Sequence, residues 1–177
     1  MLQNHSEIVT KRLTLHCLSR GELESKSLSD RQFSNPHDVY TGENLPRTNR
    51  LADVQSHPDR IRWYYRIIVD RSRNLAVGSV SFHASPDERG MVEIGVGIAP
   101  QEQGKGFAQE ALRAMWDWVI DEPGVRFLRY TVSPTNLPSM AIIEKFGFPL
   151  IGEQIDEEDG LELIYEISVD DYREKNK

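Results

Sequence analysis

The chain has 177 residues, 38% hydrophobic and 28% charged, with a formal net charge of −7. That length supports one substantial core and is short for two domains, and the acidic balance argues against a general nucleic-acid binder. No run of about 18 apolar residues is present to cross a membrane, the opening MLQNHSEIVTKRL carries no apolar signal core, and Cys17, the only cysteine, excludes an intramolecular disulfide and a cysteine-cluster metal site.

In chain order, RLTLHCL (12–18) alternates Leu13, Leu15 and Cys17 against polar neighbours, which predicts a half-buried first strand. A polar helical stretch follows from about 20 to 34. Residues 35–57 are rich in Asn, Pro, Thr and Gly and read as an irregular loop with room for a short helix. A connection of that length is often a binding loop, and a merely solvated excursion is the alternative.

Strands then come in quick succession. YYRIIVD (64–70) and LAVGSVSFHA (75–84) flank the turn RSRN, and SPDERG leads into MVEIGVGIA (91–99). Ala108, Ala111, Leu112, Met115 and Val119 recur at three- and four-residue spacing, so a helix is expected over 104–121, stopped by DEPG. Trp116 and Trp118 fall on opposite sides of it, and core packing explains at least one. VRFLRYTV (125–132) reads as a strand. TNLPSMAIIEKFGF (135–148) reads as a helix with Pro138 in its first turn and Gly147 at its end. LIGEQI and LELIYEISV close a hairpin around DEEDG. This order specifies one α/β (α+β) domain over 1–177, with a mixed, mostly antiparallel central sheet flanked by helices.

The chemistry concentrates in QGKGFA (103–108). Amides in the first turn of a helix lack intrahelical partners and sit at its positive end, and glycines let an anion approach the backbone. The turn therefore offers a phosphate or pyrophosphate cradle, with Lys105 adding charge. It is not a Walker loop, because Gly104-Lys105 is followed by Gly106, nor a dinucleotide fingerprint, because Gln109 replaces the third glycine. A plain turn opening a helix is the bland alternative. In the preceding strand Val92, Ile94, Val96 and Ile98 share one face, and Glu93, Gly95 and Gly97 the other. A carboxylate beside two glycines leaves a face emptied of side chains, where something can approach the backbone closely.

Gln103-Gly104-Lys105-Gly106-Phe107-Ala108 resembles the [R/Q]-x-x-G-x-[G/A] signature of the GNAT N-acyltransferases, and a register starting at Gln101 also satisfies it. NLPSMAIIEKFGF is similar to that family's N-x-x-S/A…E-K-x-G-F segment. TKRLTLHCL resembles the opening of the subgroup that includes the ribosomal-protein N-terminal acetyltransferases. The resemblance covers nearly the whole chain and is weakest over 20–60. It implies a sheet splayed between its fourth and fifth strands, MVEIGVGIA and VRFLRYTV, and an acetyl-CoA site without a metal. The backbone of Gln103, Gly104, Lys105, Gly106, Phe107 and Ala108 would hold the pyrophosphate, and Val96 and Ile98 the pantetheine. Asn136 would contact the cofactor arm, with a helix N-cap as its other reading.

Acyl transfer to an amine calls for a general base, for which Glu93 is the candidate and the acidic hairpin from Glu153 to Glu162 a second source. The family's usual tyrosine, seven residues after the asparagine, is here Ile143, so Ser139 becomes the candidate acid. His5, His16, His37, His57 and His83 show no metal-ligand spacing. His83 and Tyr40 are candidate substrate contacts. The resemblance implies an acyl-CoA-dependent N-acyltransferase, most simply an acetyltransferase. It would act on a primary amine of a protein N-terminus, polyamine, antibiotic or metabolite by direct attack in a ternary complex. A non-catalytic acyl-CoA-binding module is the competing reading. The expected location is cytoplasmic, with no membrane or nucleic-acid partner, and a homodimer is left open.

Overall fold

The alternation of Leu13, Leu15 and Cys17 buries one side of a strand, and the same logic assembles a sheet of eight. The computed structural model describes residues 7–28, 31–41, 48–157 and 160–177. Its strands are β1 (Ile8–Val9), β2 (Leu13–Cys17), β3 (Arg66–Asp70), β4 (Leu75–Phe82), β5 (Met91–Ile98), β6 (Phe127–Val132), β7 (Leu150–Asp156) and β8 (Gly160–Ser168). They lie in the order β1-β2-β3-β4-β5-β6-β8-β7. Every pairing is antiparallel except β5 with β6.

That parallel pair creates the site. β5 and β6 pair only from Met91↔Phe127 to Glu93↔Arg129, although β5 runs on to Ile98 and β6 to Val132. Beyond Glu93 the strands part, and β5 keeps a sheet neighbour only on its β4 side, through Phe82↔Ile94 to Gly78↔Ile98. The expected splay is present, and an additional strand, β1, makes the parting strands the fifth and sixth. β5 carries no bulge against β4, so the two faces read from its sequence hold: Val92 and Ile94 are buried, and Glu93, Gly95 and Gly97 lie on the other side.

The helices are α1 (Arg20–Ser25), α2 (Thr48–Ser56), α3 (Phe107–Val119), α4 (Leu137–Phe146) and α5 (Val169–Lys175), with 3-10 turns at Pro58–Trp63 and Pro100–Glu102. Phe107, Ala111, Leu112, Met115, Trp116 and Val119 form the buried stripe of α3. Trp116 centres the larger core, with Phe146 and Phe148 at 4.6 and 4.7 Å between ring centroids. Trp118, partly buried, packs on Trp63 and Phe82 at that core's margin, so packing explains both tryptophans. A second core, built on Leu18, Leu23, Val54, Ile61 and Ile67, joins α1 and α2 to β3.

Besides β1 and the 3-10 turn at Pro100–Glu102, neither of which the sequence pattern marks, three elements depart from the sequence expectation. The helix expected over 20–34 ends at Ser25. Ser19 and Glu22 form a capping box at its start, and Lys26 turns left-handed (φ 53°) at its end. The 3-10 turn at Pro58–Trp63 was not anticipated, and neither was α5, whose seven residues are too few to display a helical period. Residues 29–30 of the expected helix, 42–47 of the long loop, 158–159 of the hairpin tip, and His5 lie outside the described residues. Among the described residues no helix is long and apolar enough to cross a membrane.

Candidate active site

Between the free half of β5, the glycine-rich turn and the first turns of α4 lies a cleft of about 490 Å³. Of the residues expected to hold a cofactor, Val96, Ile98, Gln103, Gly104, Gly106, Phe107, Ala108 and Asn136 line it, and Ser139 joins them. Lys105 does not. Its ammonium turns to Glu102 (2.8 Å) and the Gln101 carbonyl (3.1 Å). Of the two possible motif registers, the one beginning at Gln103 faces the cleft.

The turn has the geometry of an anion cradle. Gly104 and Gly106 have φ of 75° and 79°, the left-handed region where glycine alone is unstrained. The first amide of α3 to find a partner within the chain is that of Glu110, which donates to the Gly106 carbonyl at 3.1 Å. Those of Gly106, Phe107, Ala108 and Gln109 have no partner among the described residues, and Gly106 caps the helix with no side-chain acceptor. A Cβ built on Gly104 or Gly97 would meet nothing within 4 Å, so both open onto free space. These features fit the pyrophosphate and arm of an acyl-CoA.

Three side chains hold the cradle in place. Arg12 donates to Glu110 (2.6 Å) and to the Lys105 carbonyl (2.9 Å), with its guanidinium 4.9 Å from the centroid of Phe107. Glu102, almost wholly buried, takes a forked pair of bonds from Arg73 (3.0 and 2.6 Å) and one from Lys105, with His37 at 3.2 Å. Arg73 above all, then Lys105, holds its carboxyl down at about 2. Gln103 donates to the Ile98 carbonyl at 3.0 Å, tying the turn to the end of β5.

Asn136 is the N-cap of α4, its Oδ1 accepting from the Ser139 amide at 3.2 Å, and it also lines the cleft, so both readings of it apply. Ser139 does not itself cap the helix. Its hydroxyl lies against the Tyr130 phenol, whose pKa burial raises and the Ser139 contact lowers by less. Ile143, in the family's tyrosine position, is fully buried in the core and does not face the cleft.

Glu93 sits where β5 and β6 begin to part. Its Oε1 accepts from Thr131 Oγ1 at 2.5 Å and faces His83 Nδ1 at 3.4 Å. The carboxylate is mostly buried and the imidazole about half exposed. The second proposed source of a base lies elsewhere: Glu153 and Glu162 are on the β7–β8 hairpin, separated from β5 by β6. Tyr40 is also corrected. Its side chain is buried in the second core and donates to the Glu22 carbonyl at 3.1 Å, and burial pushes its pKa up to about 12. It is a packing residue, not a substrate contact. Sequence reasoning missed Arg12, Glu102, Thr131 and Tyr130, because each acts through a partner distant in sequence or, for Tyr130, through a helix that only folding brings near.

Fold and site together define an acyltransferase-type domain. A model of the Acetyltransferase (GNAT) domain matches residues 12–149, and the chain belongs to that family. YjdG, an uncharacterized N-acetyltransferase of Bacillus subtilis (strain 168), is 33% identical over 84 residues, 48% of this chain and 50% of YjdG; the chain thus spans half of that relative's length. Among solved structures, the spermidine/spermine N-acetyltransferase SpeG of Vibrio cholerae, in mutant form, has a TM-score of 0.67 at 20% identity, covering 95% of this chain and 100% of that one. The ribosomal-protein-S5-alanine acetyltransferase of Vibrio fischeri has a TM-score of 0.67 at 16% identity, covering 94% and 98%. At these identities the likeness is one of fold.

Proposed function

We propose that this protein transfers an acetyl group from acetyl-CoA to the primary amine of an acceptor, by direct attack in a ternary complex. The observation that carries this reading is one cleft bounded by four helix-start amides without a partner among the described residues and by the unpaired edge of β5, with the partly buried Glu93 carboxylate at the point where β5 and β6 part. The amides from Gly106 to Gln109 would hold the pyrophosphate, and the β5 backbone at Val96 and Ile98 would pair with the pantetheine arm. Backbone N–H groups on that edge would also stabilise the oxyanion formed at the thioester carbon. An alkylammonium has no lone pair, so the acceptor must shed a proton, and Glu93 with His83 beside it provides the base. The C–S bond breaks as the N–C bond forms. The departing sulfur would meet the Ser139 hydroxyl, backed by the neutral Tyr130 phenol.

Related proteins act on polyamine or ribosomal-protein amines by their names, and an acceptor of one of these kinds is the starting point for assay. Thiol release from acetyl-CoA across a panel of polyamines, N-terminal peptides and small amines tests the proposal, with product mass identifying the acetylated nitrogen. Turnover with one class is expected. Tight acetyl-CoA binding without turnover on any amine would refute transfer while leaving the cleft as a cofactor site.

A further inference from the structure

A second cavity, of about 350 Å³, lies beside the glycine-rich turn. Five of the side chains lining it are cations (Lys11, Arg12, Arg71, Arg73 and Lys105), and Asp70 is the carboxylate among them. They come from three segments: the turn before β2, the β3–β4 turn and the cradle. Strand register brings the first two together. Leu13 pairs with Asp70, and one step beyond that pair the Arg71 amide donates to the Arg12 carbonyl at 2.9 Å. Arg12 and Arg71 thus stand opposite each other, and like charges placed so are destabilising. The whole chain carries a net charge of −7, so this cluster runs against its balance.

The cations fall into two groups. Arg73 is held by Asp70 and Glu102, both at 2.6 Å, Lys105 by Glu102 at 2.8 Å, and Arg12 by Glu110 at 2.6 Å. Arg12 and Arg73 also stand 4.9 and 6.0 Å from the centroid of Phe107, so this wall is fixed before any ligand arrives. Lys11 and Arg71 are the second group. Both are exposed, and neither has a carboxylate partner among the described residues. Arg71 gives Nη1 to the carbonyls of Thr10 (2.9 Å) and Lys11 (3.5 Å), and its Nε and Nη2 have no acceptor among the described residues.

We infer that this cavity is a second phosphate site, taking a phosphate monoester between Lys11 and Arg71. Such a group brings three acceptor oxygens and nearly two negative charges, enough for an ammonium and a guanidinium hung from separate turns. A carboxylate brings two oxygens and one charge. The monoester has two sources. Phe107 lines both this cavity and the cleft, and Arg12 Nη2 lies 3.4 Å from where a Cβ on Gly106, a cleft residue, would be. The ribose 3′-phosphate of an acyl-CoA in the cleft is therefore one source, and that source rests on the acetyl-CoA reading. A separate phosphorylated small molecule is the other.

The test is a titration of the full chain with inorganic phosphate, followed at the Nε–H signals of Arg71 and Arg12 in proton–nitrogen NMR spectra. Both signals should shift and saturate. In Lys11→Ala and in Arg71→Ala, followed at Arg12, affinity should fall about tenfold, the worth of one bond to a charged group. Unchanged backbone spectra check that the variants fold. Titrations with CoA and with dephospho-CoA separate the sources. CoA that binds about tenfold tighter than dephospho-CoA, with the difference gone in Arg71→Ala, assigns the site to the cosubstrate. Equal affinities, with phosphate still shifting Arg71 in the presence of CoA, assign it to a separate molecule. Signals that move with neither phosphate nor CoA, or that respond at the same concentrations in both variants, would overturn the site and leave the cluster as solvated charge. The amides of Gly106 to Gln109 report on the cleft independently: if CoA leaves them unmoved, the acetyl-CoA reading fails, and the phosphate titration still decides the second site.

Discussion

Ser139 shows how one residue's role turns on where its hydroxyl points. As a helix cap, its loss would lower stability by about 1 kcal/mol. The cap is instead Asn136, which accepts from the Ser139 amide, an interaction that alanine at 139 retains. Ser139→Ala should therefore keep the cap, and any change in melting temperature should reflect only the lost contact with the Tyr130 phenol. The variant should slow turnover by about tenfold, roughly 1.4 kcal/mol, the worth of one hydrogen bond to the leaving sulfur. An earlier melt with normal turnover would return Ser139 to a structural role. The neighbouring Ile143 is the converse case. Its spacing from Asn136 suggested a vacated catalytic slot, but it is fully buried. Ile143→Tyr should overpack the core and cost about 1–3 kcal/mol in denaturant unfolding rather than raise activity. Unchanged stability would place that side chain in the cleft after all.

At the scale of elements, the parts legible in the sequence were those whose signal is local. The alternation of Leu13, Leu15 and Cys17, the stripe of α3, and Pro138 with Gly147 around α4 each specify an element by spacing alone. The glycine-rich turn belongs with them, because two left-handed positions before a helix are a property of six consecutive residues. What stayed hidden depends on partners far apart in the chain. Glu102 reads as one more acidic residue until folding brings Arg73 and His37 to it. Tyr40 reads as a loop aromatic until the second core closes over it. The end of α1 was illegible for another reason: nothing in the polar stretch 20–34 marks Lys26 as the turning point. Asn136→Ala tests the element-level claim that one residue both caps α4 and lines the cleft. Stability should fall by about 1 kcal/mol, and acetyl-CoA affinity should fall with it in calorimetry. A loss of stability alone would confine Asn136 to the cap.

Across the whole molecule, Glu102 ties three distant segments to one carboxylate: the loop bearing His37, the β3–β4 turn bearing Arg73, and the cradle through Lys105. Its carboxyl is held at about 2, against an ordinary 4.5, chiefly by Arg73. A carboxyl depressed on folding stabilises the fold fully above its unfolded value and loses that contribution as pH falls through its folded value. Stability should therefore decline between about pH 4.5 and pH 2, and Glu102→Gln should flatten that decline. The same variant should lose about 1–3 kcal/mol at neutral pH, as expected for bonds to a charged group, read by urea unfolding. An unaltered acid profile would mean that the three segments are held together by other contacts.

The cradle itself is open to the most direct measurement. If acetyl-CoA places its pyrophosphate on the start of α3, the amides from Gly106 to Gln109 acquire the partners they lack. Hydrogen exchange resolved at those four residues, with and without saturating acetyl-CoA, should show strong protection on binding. Gly106→Asp, which sets a negative side chain in the cradle, should abolish both the protection and a micromolar affinity of about −8 kcal/mol. Exchange at Gly106 to Gln109 that stays unchanged while acetyl-CoA binds would contradict the assignment of this turn as the phosphate site.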